Sequence, residues 1–265
     1  MAKLPEQRKK QILDYLSRHE FADVESLVSA VSASPATIRR DLQDLANRAV
    51  VTRTRGGAAL VVHGLGHEPP YRARANENLA EKRAIAQLAS TFVREGEVIG
   101  LDVGSTTFEL ARAIRTQRNI TVFTASLPIA ELLSQSDVAV MLLGGRLRKK
   151  ELSLAGTVAV QIVSQFHFDK FFLGTAGVTV NSGFTDFGIE DVEIKKAFLT
   201  RSKELIALGD HTKLGQVSLT TTCPISAVHR LITDSKADPG QLRKLREAGL
   251  EVLTAPDHHS NERNR

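Results

Sequence analysis

Residues 101–110, LDVGSTTFEL, set an apolar run directly ahead of a Gly-Ser-Thr-Thr turn and a helical pattern. Glycine lets a backbone approach an anion closely, and the first amides of a helix point at such an anion with the positive end of the dipole. Gly104, Ser105, Thr106 and Thr107 therefore form a candidate phosphate cradle, with Asp102 beside it. The same turn is also an ordinary helix start, and its company decides between the two. Later apolar runs close on Thr124 and Ser126, on Gly144-Gly145-Arg146, on Gly174-Thr175-Ala176-Gly177 and on Asp210-His211-Thr212-Lys213. Hydroxyls and glycine amides can hold phosphate oxygens, while Arg146 or Lys213 supplies counter-charge.

A second constellation, in the first sixty residues, suits a different chemistry. In SPATIRRDLQDLAN the residues Ile38, Leu42 and Leu45 recur at helical spacing and must face a core. The opposite face then carries Ala36, Arg39, Arg40, Gln43 and Asn47, small, hydrogen-bonding or cationic side chains of the kind that read the DNA major groove. Ser34 caps this helix and Pro35 fills its first position, and Ser34, Ala36 and Thr37 join Arg39, Arg40 and Gln43 as candidate DNA contacts. An Arg-Arg pair can equally be solvated surface charge. The next stretch favours DNA: VVTRTRGGAALVV is a basic hairpin turning at Gly56-Gly57, and its Arg53 and Arg55 can reach phosphates or the minor groove.

These sites need elements to hold them. Ahead of the recognition helix, a helix from about Glu6 to His19 spaces Ile12, Leu13 and Leu16 on one side, and a shorter one follows an Asp23 cap over Val24–Val31. Residues 1–60 thus predict a winged helix-turn-helix. Residues 61–78, rich in Gly, Pro and charge, read as a linker. From 79 to 256 helices alternate with the apolar runs VIGLDVG, ITVFTA, VAVMLLGG, KFFLGTAGV, ELIALGD, HRLITD and LEVLTA. That alternation predicts a larger α/β domain with a mainly parallel sheet, whose ligands bind beyond the carboxyl ends of the strands. The polar tail 257–265, with His258-His259, predicts disorder.

Composition excludes several classes. With 42% hydrophobic and 25% charged residues the chain of 265 reads as globular, and no apolar run approaches the ~20 residues of a membrane span. The opening MAKLPEQRKKQ has no apolar stretch behind its charges, which points to a cytoplasmic protein without a secretory signal. The single Cys223 reads as a small buried residue, and no spaced Cys/His/Asp set predicts a metal. The net charge of +5 is mild, but residues 1–60 hold ten Lys or Arg against seven acids. An anionic partner at that end follows.

The ordered set SPATIRRDLQDLANRAVVTRTRGGAAL resembles the amino-terminal module of the DeoR family of bacterial transcription regulators, with Ala49 where the family usually has Gly. The order IGLDVGSTTFELA, MLLGGRLR, FFLGTAG with SGFT, LGDHTKLG and LITD resembles the same family's sensor domain. The resemblance implies a sensor similar in fold to ribose-5-phosphate isomerase, with phosphorylated sugars or polyols as ligands. It implies operator DNA as partner; because a lone winged module contacts too little DNA for specific affinity, a homodimer or homotetramer is expected, and no cofactor is expected. By matching positions it assigns the effector to Asp102, Gly104, Ser105, Thr106, Thr107, Arg146, Asp191, Lys195, Asp210 and Lys213. Asp191 stands where the family has Glu, and Ala125 where it has Asn. As residues alone, Asp191 and Lys195 are also a plain i,i+4 surface pair. The competing function is an active sugar-phosphate isomerase, which needs a carboxylate base. The related isomerases carry an acidic strand-end motif where this chain reads GTAG, so the expectation is a regulator, a repressor of a carbohydrate or polyol operon, and not an enzyme.

Overall fold

The computed structural model describes residues 5–16, 19, 22–47, 50–54, 57–60 and 68–257. The chain divides into two compact units, Met1–Arg74 and Ala75–Arg265. Ala49, Arg55, Gly56, the first part of the linker and the His258-His259 tail lie outside the described residues.

The first unit holds α1 (Pro5–Leu16), β1 (Ala22–Asp23), α2 (Val24–Val31), α3 (Pro35–Asn47), β2 (Val51–Thr54) and β3 (Gly57–Leu60). The first helix ends three residues before the expected His19, whose ring stacks on Tyr15 at 4.2 Å. Asp23 caps α2 by accepting from the Ser26 amide at 2.7 Å, which holds its carboxyl below the usual range. Ile12, Leu16, Leu27, Ile38 and Leu42 are all but inaccessible and form one core under the three helices. Each contributes about 1.5–3 kcal/mol by leaving water. The wing is antiparallel, Arg53 opposite Ala58, and β1 adds a third strand beside β3. Within the segment read as linker, Tyr71–Asn76 forms a short helix, α4.

The second unit runs α5 (Leu79–Ser90), β4 (Val98–Leu101), α6 (Ser105–Ile114), β5 (Thr121–Thr124), α7 (Leu127–Leu133), β6 (Ala139–Leu142), β7 (Arg146–Arg148), β8 (Ser153–Ala155) and α8 (Thr157–Ser164). It continues through β9 (Phe168–Gly174), β10 (Gly177–Thr179), β11 (Gly183–Asp186), α9 (Ile189–Arg201), β12 (Ser202–Leu208), β13 (Thr220–Cys223), β14 (Arg230–Asp234), α10 (Pro239–Glu247) and β15 (Glu251–Ala255). The main sheet has the order β15-β14-β12-β9-β4-β5-β6, and every pairing in it is parallel. All seven apolar runs are its strands. The central strands are covered on both faces, so alternate residues enter different cores: Phe172 and Ile206 pack under α5, α6 and α7, while Phe171 and Leu205 pack under α8, α9 and α10. The edge strand β6 is largely exposed, Met141 and Leu142 included. Phe171 and Phe198 stack at 4.5 Å directly over Gly100, where a Cβ would meet them at 2.6–2.8 Å.

Two small antiparallel pieces flank this sheet. β7 and β8 form a hairpin, and β10, β11 and β13 form a second sheet. Among the described residues no helix is long and apolar enough to cross a membrane.

Candidate functional site

On α3 the residues Ala36, Arg39, Arg40, Gln43 and Asn47 are exposed, opposite the buried Ile38, Leu42 and Leu45. The Ser34 hydroxyl accepts from the Thr37 amide at 3.3 Å and lies 2.8 Å from the Thr37 hydroxyl, so it closes the helix start as a cap. Asp41, between the arginines and Leu42, points the other way. It is 4% exposed and takes the Arg8 guanidinium in a two-pronged bond, 2.5 Å from Nε and 3.0 Å from Nη2, tying α1 to α3. Arg53, expected at phosphate, lies over the helix and donates to Gln43.

In the second unit the carboxyl ends of β4, β9 and β11 meet α9 around one ammonium. Lys195 is 2% exposed and its three donors reach Asp102 Oδ2 at 2.8 Å, the Gly174 carbonyl at 3.0 Å, and Asp186. Burial works against this charge, and the Asp102 and Asp186 carboxylates overcome it, so its pKa lies above the ordinary range. Asp102 also accepts from the Val103 amide and the Gly174 amide, each at 2.8 Å. Its pKa is raised to about 6, because burial of its charge outweighs the attraction of Lys195. Asp191, 3% exposed, is bound to Arg148. Asp191 and Lys195 are therefore not a surface pair: each is buried against a different strand.

Two residues after Asp102, Gly104 precedes α6 with φ 138°, a conformation open to glycine. Ser105 and Thr106 open the helix, whose first amides have no partner in a preceding turn. Thr107 is wholly buried, and its hydroxyl donates to the Gly104 carbonyl at 3.1 Å, so it holds the turn together instead of facing a ligand. Thr124 and Ser126 likewise use their hydroxyl oxygens to accept amides at the start of α7. The gap bounded by Asp102, Ala125, Asp191 and Phe198 has room for about one water.

The remaining expected residues lie at the same strand ends with other partners. Arg146 is exposed and pairs with Glu190 at 2.5 Å; the arginine turned inward is Arg148, two residues on along β7. Asp210 is 1% exposed and caps a turn of 3-10 helix by accepting from the Thr212 amide at 3.0 Å. Lys213, half-buried, stands over Gly209 with no carboxylate paired to it among the described residues. His211 and Asp234 meet beside it, Nδ1 to Oδ1 at 3.0 Å. Cys223 is buried, its thiol pushed up to about 11 by burial and so unreactive. Among the described residues no set of His, Cys, Asp and Glu is gathered for a metal.

Residues 8–63 match the DeoR-like helix-turn-helix domain, and residues 77–235 match the DeoR C terminal sensor domain. The chain belongs to the DeoR family. It is 34% identical over 250 residues to the HTH-type transcriptional regulator GlpR of Haloferax volcanii, covering 94% of this chain and 98% of that one. It is 30% identical over 254 residues to the glycerol-3-phosphate regulon repressor of Escherichia coli, covering 96% of each. Among solved structures, ribose 5-phosphate isomerase from Plasmodium falciparum aligns with a TM-score of 0.38 at 18% identity, over 50% of this chain and 51% of that one. As a DeoR protein the chain is a DNA-binding transcription regulator, and its α/β unit is a sensor domain rather than an enzyme.

Sequence reasoning missed Asp186, Arg148 and the role of Asp41. Asp186 closes the run SGFTD, and its polar end was the available sign. Arg148 required knowing that residues 146–148 are a strand, where alternation turns neighbours two apart to one face: Arg146 and Arg148 share that face and reach the successive residues Glu190 and Asp191 of α9.

Proposed function

We propose that this chain represses a carbohydrate or polyol catabolic operon and releases it when a phosphorylated sugar or polyol binds the sensor domain. The observation that carries the reading is the juxtaposition, at the carboxyl ends of parallel strands, of a Gly-Ser-Thr helix start with the Asp102–Lys195–Asp186 cluster and the Arg148–Asp191 pair. The helix start suits a phosphate, through the amides of Ser105 and Thr106 and their hydroxyls, with Lys213 as counter-charge. Carboxylates suit the hydroxyls of a sugar or polyol. Because Lys195 already uses its three donors and the gap beside Asp102 admits about one water, an effector that reaches Asp102 or Lys195 requires these strand ends to rearrange. That requirement is itself what a sensor needs: a ligand that favours one arrangement shifts the balance between two.

DNA binding takes place through the exposed face of α3, by a homodimer or homotetramer acting in the cytoplasm. One winged module contacts too few base pairs for specific affinity, and symmetric pairs supply the second half-site. A melting-temperature screen against sugar and polyol phosphates tests the reading, with glycerol 3-phosphate included because a relative is named for it. At least one compound is expected to raise the melting temperature and lower DNA affinity in the same concentration range. A panel without such a compound would overturn the effector reading and leave the family assignment intact.

A further inference from the structure

Arg53 of β2 reaches back over α3 and donates from Nη1 to Gln43 Oε1 at 2.5 Å. Gln43 in turn donates from Nε2 to Asn47 Oδ1 at 2.9 Å. All three side chains are exposed, on the face of α3 opposite its buried residues. A guanidinium has only donors, so only the oxygen of the Gln43 amide can face it; the flipped amide would set N–H against N–H. The direction of the second hydrogen bond follows from the first.

A glutamine amide carries two donors and two acceptor lone pairs. In Gln43 one of each is engaged, which leaves one N–H and one lone pair in an order that Arg53 fixes. In the major groove adenine offers an acceptor, N7, beside a donor, the N6 amine, and matches that remainder. Guanine offers two acceptors, N7 and O6, and would set O6 against the Gln43 oxygen.

We propose that Gln43 reads an adenine in the major groove and that Arg53 is a positioning residue, acting through Gln43 by fixing which way its amide faces. Arg53 then governs base choice and is not a phosphate contact. The inference rests on the DNA-reading assignment of α3, and the experiment separates the two.

Full-length wild type, Gln43→Ala, Gln43→Glu and Arg53→Ala are each used to select from a pool of randomised duplex DNA, and the recovered sequences are compared position by position. Wild type is expected to favour adenine at one position of each half-site by about fivefold to a hundredfold. Gln43→Ala loses the preference there and nowhere else. Gln43→Glu keeps an acceptor for Arg53 but has no donor, and its preference moves to cytosine, whose N4 amine it can accept. Arg53→Ala flattens the same position while the slope of log affinity against log salt stays close to wild type. An unchanged profile for Gln43→Ala overturns the proposal. So does an Arg53→Ala variant with every base preference intact and a salt slope reduced by about 0.9, the mark of one lost phosphate contact. A wild-type chain that enriches no sequence removes the DNA-reading assignment, and the proposal with it.

Discussion

Arg39, Arg40 and Asp41 are consecutive and serve opposite ends of the same helix cross-section. The arginines are exposed on the side of α3 proposed to meet DNA, whereas Asp41 is buried against Arg8. Replacing Arg39 or Arg40 by Ala is expected to cost ~1–3 kcal/mol in affinity for the selected DNA if the side chain meets a base edge, with the melting temperature unchanged. Asp41→Ala should do the reverse, lowering the melting temperature by removing both bonds to the half-buried Arg8, a loss of roughly 1–3 kcal/mol. Fluorescence anisotropy and thermal melts on the same preparations separate the two outcomes; equal loss of affinity without loss of stability in all three would place Asp41 at the DNA. Thr106 is the residue that tests the other site. Thr106→Asp puts a carboxylate at the helix start where a phosphate is expected, so like-charge repulsion should abolish the melting-temperature shift given by the effector while DNA binding persists. An unaltered effector response in that variant would move the phosphate site away from α6.

Elements explain what the sequence made legible. Central parallel strands are buried on both faces, so each reads as a continuous apolar run, and runs such as KFFLGTAGV and HRLITD are readable as β9 and β14 without any tertiary knowledge. The recognition helix is legible for the complementary reason, since one apolar stripe fixes the outward residues. The β7–β8 hairpin and the β10–β11–β13 sheet were not read, because strands of three or four mixed residues carry no usable period. The partners of Lys195 were hidden too: Asp102 is remote in sequence, and a residue whose three donors are satisfied inside the protein looks, in sequence, like any helical lysine. Where β4, β9, β11 and α9 join, that ammonium faces more than one carboxylate, and burial raises Asp102 to a pKa of about 6 against an ordinary 3.8. A raised carboxyl pKa means that the folded chain holds the proton more tightly than the unfolded chain. Its stabilising contribution is therefore lost as pH rises from about 4 to about 6 and is constant above. The melting temperature of wild type minus that of Asp102→Asn should fall across that window and then level. A difference that grows with pH there would mean that Lys195 holds Asp102 ionised and that the attraction outweighs burial.

For the whole molecule the question is how a ligand in the sensor domain alters a grip on DNA made by another unit. Nothing in the linkage requires a particular path between them, but thermodynamics makes the effect mutual. If the effector lowers DNA affinity by some factor, DNA must lower effector affinity by the same factor, and typical couplings of 1–3 kcal/mol correspond to roughly 5- to 150-fold. Calorimetric titration of the effector into free protein and into the protein–DNA complex should therefore give dissociation constants whose ratio equals the loss of DNA affinity measured separately with saturating effector. The ligand must also survive the experiment. GTAG, residues 174–177, brings no carboxylate to the end of β9, and the Asp102 and Asp186 carboxylates beside it are already engaged by backbone amides and the Lys195 ammonium, an arrangement that disfavours moving a proton between sugar carbons. Carbon NMR of the bound sugar phosphate should show it unchanged after hours with the protein. Isomerisation at an enzyme-like rate would give the α/β unit a chemistry of its own, and an effector dissociation constant that is the same with and without DNA would show that the ligand does not act on the grip on DNA.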